Sequence, residues 1–152
     1  MSDIDMSPEK FRELTKCLMS PEYFIETYAW LQCKASAGVS ETSSTVPFIM
    51  GNNPDEVFFF ERETLRWLHN RESVLFFKQR RVGGSWTAAA YTSWLINFVE
   101  GVNVLFISET GDKAEKMLAK VKFILNNLAL HDSPNIKKAT RASWLRGEVL
   151  AD

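Results

Sequence analysis

The sequence predicts an α/β fold in which a partial parallel β-sheet is flanked by helices and preceded by a short helical lead-in. Two apolar runs, residues 73–77 and 102–107, have the length of buried strands, and a helical pattern follows each of them. This order of strand, helix, strand, helix is typical of parallel strands joined by right-handed crossovers. The chain has 152 residues, 45% of them hydrophobic, which is enough for one domain with a core.

Two helices are predicted at the start of the chain, from Ser7 to about Leu18 and from Ser20 to about Cys33. Each begins with Ser-Pro-Glu, which supplies an N-cap hydroxyl, a proline at the first helical position and an acid that complements the helix dipole. The second helix carries apolar side chains at helical spacing, so it is expected to pack on the core. They are Phe24, Ile25, Tyr28, Trp30 and Leu31.

The chain divides into an N-terminal helical unit (1–34), a linker (35–45) and a larger domain (46–152). Residues 35–45 are mostly Ser, Thr, Gly and Ala, a composition that predicts a flexible linker. After it, an apolar segment and a Gly-Asn-Asn-Pro turn precede a helix predicted from Glu56 to His69. Its expected inward side chains are Phe59, Leu65 and Leu68.

Two further helices follow the predicted strands. Residues 85–98 are Ala-rich and apolar on nearly all sides, so this helix is expected to be central, and Gly101 is expected to end it. A helix over residues 111–127 has an apolar face consisting of Ala114, Met117, Leu118, Val121, Ile124 and Leu125. Beyond Leu130 the sequence gives a loop and weak strand signals near residues 142–145 and 148–150.

Charge and cysteine content restrict the class of protein. Residues 1–76 carry 7 basic and 12 acidic side chains, whereas residues 77–152 carry 11 and 7, so a polyanion is expected to bind the second half. Cys17 and Cys33 have no further ligand at metal-site spacing, which argues against a zinc site or a disulfide framework. No stretch reaches the ~18 apolar residues of a membrane span, and a soluble protein of a reducing compartment is expected.

A glycine-containing loop joins the first predicted strand to the central helix, as in the phosphate-binding pattern G-x-x-x-x-G-K-S/T. Aligned on Ser85, residues 78–85 keep the second glycine, Gly83, and the hydroxyl, but Lys78 takes the first glycine position and Gly84 the lysine position. An ordinary strand-to-helix turn would also have this composition. The lysine at the opposite end of the loop favours the phosphate-binding interpretation, because its ammonium could reach the same phosphates from the other side.

Three stretches of the chain resemble the ATPase domain of phage large terminase subunits, the motors that package DNA into capsids. They are residues 24–30, residues 78–86 with Tyr91 and Trp94, and residues 103–108 with Ala114, Met117 and Leu118. The resemblance covers about residues 20–130. In that family the phosphate loop commonly lacks its first glycine, and in some members the lysine stands at the start of the loop, as Lys78 does.

The resemblance implies a P-loop NTPase-like fold that binds ATP and Mg²⁺ and powers translocation of double-stranded DNA into procapsids. The implied partners are DNA, the capsid portal and the small terminase subunit, in the host cytoplasm, with no membrane and with an oligomer possible in the full motor. The acidic pair that the family uses for hydrolysis, and its nuclease domain, are expected to lie outside these 152 residues. No catalytic residue is assigned, although Glu109 and Asp152 each follow an apolar run, and the isolated chain is expected to be inactive as an ATPase.

The expected cofactor-binding residues are those of the loop and the first helical turn: Lys78, Arg80, Arg81, Val82, Gly83, Gly84, Ser85 and Trp86. Backbone amides of residues 82–85 would surround the β-phosphate, Lys78 would pair with phosphate oxygens, and the Ser85 hydroxyl would ligate Mg²⁺. One of the two arginines would help to neutralise the triphosphate or sense its hydrolysis, or else both form a solvated basic face. Relatives use a glutamine-containing segment to contact adenine, whereas this chain offers only Glu61 and Glu63, so adenine selectivity stays open.

Three lysines, Lys113, Lys116 and Lys120, are expected to form an exposed stripe on the last helix. Two interpretations fit them: contact with DNA phosphates, or an ordinary solvated helix face. Two alternatives to a terminase ATPase also stay open. One is a non-enzymatic remnant or assembly module, and the other is a fragment of a helicase-like translocase.

Overall fold

The computed structural model describes residues 8–33, 44–53, 55, 56, 58–75, 77 and 83–128. In this part of the chain the elements are α1 (Pro8–Met19), α2 (Pro21–Tyr28), β1 (Trp30–Cys33), β2 (Ser44–Pro47), α3 (Phe59–His69), α4 (Gly84–Phe98) and α5 (Gly111–Asn127). The two strands pair antiparallel, with Trp30 opposite Pro47 and Cys33 opposite Ser44. No helix among the described residues has both the length and the apolar character that crossing a membrane requires.

The central position predicted for the Ala-rich helix is confirmed, because α4 packs against α2, α3 and α5. Its small residues allow this close approach on several sides. The buried residues of α4 are Thr87, Ala89, Ala90, Thr92 and Ser93, which are small, and Trp94. The helix ends at Phe98, and Gly101, with a φ of 69°, then turns the chain, a backbone conformation that glycine adopts without steric cost.

The start of α2 is confirmed and its predicted end is wrong. The Ser20 hydroxyl accepts a hydrogen bond from the Tyr23 amide at 3.1 Å, as an N-cap does. The helix stops at Tyr28 because Ala29 is extended, with a ψ of 141°, and β1 follows. Pairing with a strand more than ten residues away therefore overrides the local helical pattern in residues 30–33.

The predicted end of the linker and the predicted start of α3 both differ from the structure. The last two positions of the predicted linker belong to β2, and its other positions lie outside the described residues. The third helix begins at Phe59 rather than at Glu56. Glu56 belongs to the preceding turn, where its carboxylate accepts hydrogen bonds from the Asn52 amide and the Asn53 side chain at 2.7 and 2.8 Å. Phe58, with a φ of 68°, separates that turn from the helix.

Helix α5 spans the predicted residues 111–127, and only part of its predicted apolar face is in the core. Val121 and Ile124 are buried. Leu118 was expected in the core, but its side chain is 46% exposed. The buried positions of α5 lie in its C-terminal half, against α4 and β1, whereas most of the first two turns is exposed.

The parallel sheet stays a prediction. Within the described part of the chain, β1 and β2 form the only sheet, and residues 73–75, 77 and 102–108 belong to no helix or strand. Alternate side chains in these two segments are strongly exposed, with Phe77 at 92% and Leu105 at 81%. Phe106, on the other face of its segment, packs against the core.

A buried arginine connects α2, α3 and the turn before α3. The Arg62 guanidinium donates to Glu22 at 2.8 Å, to Glu26, and to the Gly51 carbonyl at 3.0 Å. It also contacts the Asn52 side chain at 3.0 Å. All these partners are within the protein, so this cluster is a structural connection rather than an open site.

Candidate functional site

The N-terminus of α4 is the described part of the predicted phosphate loop. Gly83 is the N-cap residue, with a φ of 92°, and no side chain caps this end of the helix. The amides of Trp86 and Thr87 both donate to the Gly83 carbonyl, at 2.6 and 3.3 Å. The two amides before them, those of Gly84 and Ser85, are at helix positions that have no acceptor within the helix. Such amides, with the helix dipole behind them, favour an anion.

The structure places four of the eight predicted cofactor-binding residues, and they form the cap and first turn of α4. Gly83, Gly84, Ser85 and Trp86 are all half-buried. The other four, Lys78, Arg80, Arg81 and Val82, lie outside the described residues. The predicted change from loop to helix at the two glycines is therefore confirmed, whereas the shape of the loop stays a prediction.

Glu61 of α3 reaches the same turn of α4. Its carboxylate accepts a hydrogen bond from the Thr87 hydroxyl at 3.0 Å, and the residue is only 3% exposed. Burial raises the pKa of the Glu61 carboxyl from 4.5 to about 7, and the Thr87 hydrogen bond offsets only part of this shift.

Gly83 lies directly against the Glu61 carboxylate, in a backbone conformation that favours glycine. A Cβ at this position would collide with Glu61 Oε1, and the positive φ is itself unfavourable for other residues. The carboxylate of α3 thus lies against the backbone where α4 begins. The sequence points to Glu61 only in place of an adenine-contacting glutamine, although its spacing to Leu65 and Leu68 also indicates the buried face of the helix.

Trp86 faces α5 rather than solvent. Its ring contacts Phe123 edge-to-face, with 5.9 Å between ring centroids. The Lys120 ammonium lies 5.7 Å from the Trp86 ring centroid, within cation–π distance. Trp86 therefore helps to attach the first turn of α4 to α5, and it brings a cation to the same end of the helix.

The predicted lysine stripe does not form a uniform exposed row. Lys113 and Lys116 are exposed, but Lys113 pairs with Glu109 one turn before it. Lys120 is half-buried against Trp86. The three lysines thus divide into two at the exposed start of α5 and one directed to the start of α4.

The residues present at the α4 N-terminus fit a magnesium ion that is bound mainly through nucleotide phosphates. Mg²⁺ in such sites takes one or two protein oxygens and completes its shell with phosphate and water, and the Ser85 hydroxyl is one such oxygen. A site built by the protein alone is a different case. In the described part of the chain, no group of three or more His, Cys, Asp or Glu side chains could hold a metal ion.

Of the two acids considered for hydrolysis, only Glu109 belongs to the described part of the chain. Glu109 is exposed and paired with Lys113 before α5. Asp152 lies outside the described residues.

Comparisons of the chain with known protein families, with characterised proteins and with solved structures gave no match.

Proposed function

We propose that this chain binds the phosphates of ATP·Mg²⁺ at the loop before α4, as the ATP-binding part of a phage large terminase subunit. The observation that supports the proposal is the start of α4. Two glycines and then a serine form the N-cap and first turn, and the apolar run of residues 73–77 precedes them in the sequence. This is the order in which phosphate loops present backbone amides and a magnesium-binding hydroxyl.

Each residue of the proposed site has a distinct part. The amides of residues 82–85 hydrogen-bond phosphate oxygens, and the Ser85 hydroxyl ligates Mg²⁺. Lys78 and the two arginines that follow it, Arg80 and Arg81, supply the positive charge that a triphosphate requires. The P-loop NTPase-like parallel sheet belongs to the same proposal, with residues 73–77 as the strand that leads into the loop.

The proposal includes double-stranded DNA, the capsid portal and the small terminase subunit as partners. The basic excess of residues 77–152 supports an approach of DNA to this half of the chain. No carboxylate pair for hydrolysis is proposed among these residues. The chain is therefore expected to bind nucleotide with little turnover.

The test is calorimetric titration of the 152-residue chain with ATP in the presence and absence of Mg²⁺. We expect weak, magnesium-dependent binding, and loss of the magnesium dependence in Ser85→Ala. Lys78→Ala should weaken binding by on the order of ten- to a hundredfold, because a charge-assisted contact to phosphate contributes about 1.5–3 kcal/mol. Ser108→Ala and Lys122→Ala remove the same groups from exposed positions outside the loop, so they are the matched controls.

Three outcomes distinguish the candidate functions. Absence of ATP binding in the unmodified chain would leave the non-enzymatic assembly module as the better hypothesis. Binding that the loop substitutions and their controls weaken equally would place the nucleotide elsewhere. If ATP binds at the loop, ATP-dependent packaging of DNA into procapsids by a motor that contains this chain separates a terminase from a helicase-like translocase.

A further inference from the structure

The carboxylate of Glu61 lies against the end of α4 that the proposed function assigns to phosphate. A hydrogen bond from the Thr87 hydroxyl, one turn into the helix, holds the carboxylate there. Gly83 has no side chain, which leaves room for it. An acid at this position is unexpected beside a polyanion. A charge that is only 3% exposed and lies beside the first turn of α4 acts on any anion that binds to the amides of that turn.

We propose that Glu61 sets the affinity of the α4 N-terminus for phosphate groups: its negative charge weakens their binding, and its neutral form permits it. This inference rests on the proposed function and adds a regulatory residue to the same site. Glu61 acts through its charge from beside the first turn of α4, and no contact with the nucleotide is required of it.

The helix N-terminus provides the physical reason. The free amides and the dipole of the helix stabilise a negative charge at this end. An ionised Glu61 already receives part of that stabilisation, so less is left for a phosphate. A phosphate that arrives afterwards experiences repulsion from the carboxylate in a region that solvent screens poorly. When the carboxyl carries a proton, the Thr87 contact can remain while the repulsion disappears.

Few other charges face this carboxyl within the described residues. On α3, the neighbouring Arg62 is held by α2 and the turn before α3, and Glu63 pairs with Arg66. On α4, the first turn contains no acidic residue, and Thr87 is the partner. Lys120 of α5 lies over the Trp86 ring. Lys78, Arg80 and Arg81, which precede Gly83, lie outside the described residues.

The pKa of the group is consistent with a change of charge near neutral pH. Burial raises the pKa of the Glu61 carboxyl to about 7. The acid therefore converts between its neutral and charged forms in the range where most binding experiments are performed.

The experiment compares Glu61→Gln with the unmodified chain by titration with two ligands, Mg·ATP and Mg·tripolyphosphate, at pH 6 and pH 8. Gln keeps an oxygen for the Thr87 hydroxyl and removes the charge. We expect both ligands to bind on the order of tenfold more tightly to Glu61→Gln at pH 8, and by a smaller factor at pH 6. Because the ligand phosphates titrate as well, the ratio between the two proteins is measured at each pH.

Glu63→Gln is the matched control, because it removes the same charge from the same helix at a residue that pairs with Arg66. Equal affinities of Glu61→Gln and the unmodified chain at pH 8 would overturn the inference and leave the proposed function in place. A gain for ATP without a gain for tripolyphosphate would also overturn it, because the effect would then come from the base. Absence of binding of either ligand to both proteins would overturn the proposed function and this inference together.

A separate measurement guards against misfolding of the variant. If Glu61→Gln fails to fold, the same ligands are titrated at pH 6 and pH 8 into Glu61→Met, which removes the charge and keeps a side chain of similar length. The affinity of Glu61→Met divided by that of the unmodified chain should be larger at pH 8 than at pH 6. A ratio that does not change with pH would contradict the inference.

Discussion

The indole Nε1 of Trp94 donates a hydrogen bond of 2.7 Å to the carbonyl oxygen of Cys17, and this bond joins α4 to α1 across 77 positions of sequence. Trp94 also stacks on Tyr91, with 5.6 Å between ring centroids, and contacts His69 of α3 edge-to-face. One side chain therefore links three helices. These contacts help to hold α4 against α1 and α3.

The first prediction concerns that bond. Trp94→Phe keeps an aromatic ring but leaves the buried Cys17 carbonyl without its donor. An unpaired buried polar group costs about 1–3 kcal/mol, so the free energy of unfolding should fall by that amount in urea titrations. Trp67→Phe is the control, because Trp67 is 43% exposed and its loss should change stability little. Equal effects of the two substitutions would show that the indole bond does not stabilise the fold.

Local signals in the sequence predicted the helices, and non-local contacts account for most of the differences. The Ser20 hydroxyl caps α2 by accepting from the Tyr23 amide, only three residues away, and Pro21 is the first helical residue. The Gly83-Gly84 pair likewise marks the start of α4. The end of α2 could not be predicted in this way. Residues 30–33 form β1 only because residues 44–47 pair with them, and such a partner is not visible in a helical pattern.

The candidate site could be predicted only in part, because some of its contacts are local and others are not. Glycines and a serine at the start of a helix form a local motif, and the sequence was sufficient to place them. The approach of Glu61 to Thr87 depends on how α3 packs on α4, which is a tertiary relationship. Leu118 is more exposed, and Lys120 more buried, than the sequence predicts. The apolar face of α5 runs along the whole helix in the sequence, so it cannot indicate that mainly the C-terminal half contacts neighbouring elements.

The second prediction concerns stability and pH. The Glu61 carboxyl has a pKa of about 7 when folded and an ordinary value of 4.5, so the folded state binds its proton more tightly. The resulting stabilisation is complete below pH 4.5 and is lost as the pH rises through 7. Between pH 4.5 and pH 8, the unmodified chain should lose up to about 3 kcal/mol of unfolding free energy relative to Glu61→Gln. Urea titrations at several pH values measure this difference, and parallel curves for the two proteins would contradict it.

The third prediction concerns the buried arginine. Arg62→Ala removes the partner of Glu22 and Glu26 and the donor to the Gly51 carbonyl. Breaking a buried ion pair from one side typically costs about 3–5 kcal/mol, and a similar loss of unfolding free energy is expected. Arg66→Ala is the control, since Arg66 shares Glu22 but its side chain is 51% exposed. Arg66→Ala should lower the free energy of unfolding by no more than about 1 kcal/mol. Equal losses in the two variants would contradict the claim that the buried Arg62 ion pairs stabilise the fold more than an exposed pair does.

The last prediction concerns DNA and the lysines of α5. If DNA binds this helix, its affinity should ignore base sequence and fall steeply with salt, with a slope of about −0.9 per phosphate contact. Replacing Lys113 and Lys116 by Gln should flatten the slope by up to about two contacts, because both side chains are exposed at the start of α5. Lys120→Gln should change the slope little, because that ammonium lies over the Trp86 ring, and it is the matched control on the same helix. Fluorescence anisotropy of a labelled duplex over a range of salt concentrations gives the slopes. An unchanged slope in the double variant would exclude this end of α5 from the DNA path, and a larger effect of Lys120→Gln would mean that DNA approaches the start of α4 instead.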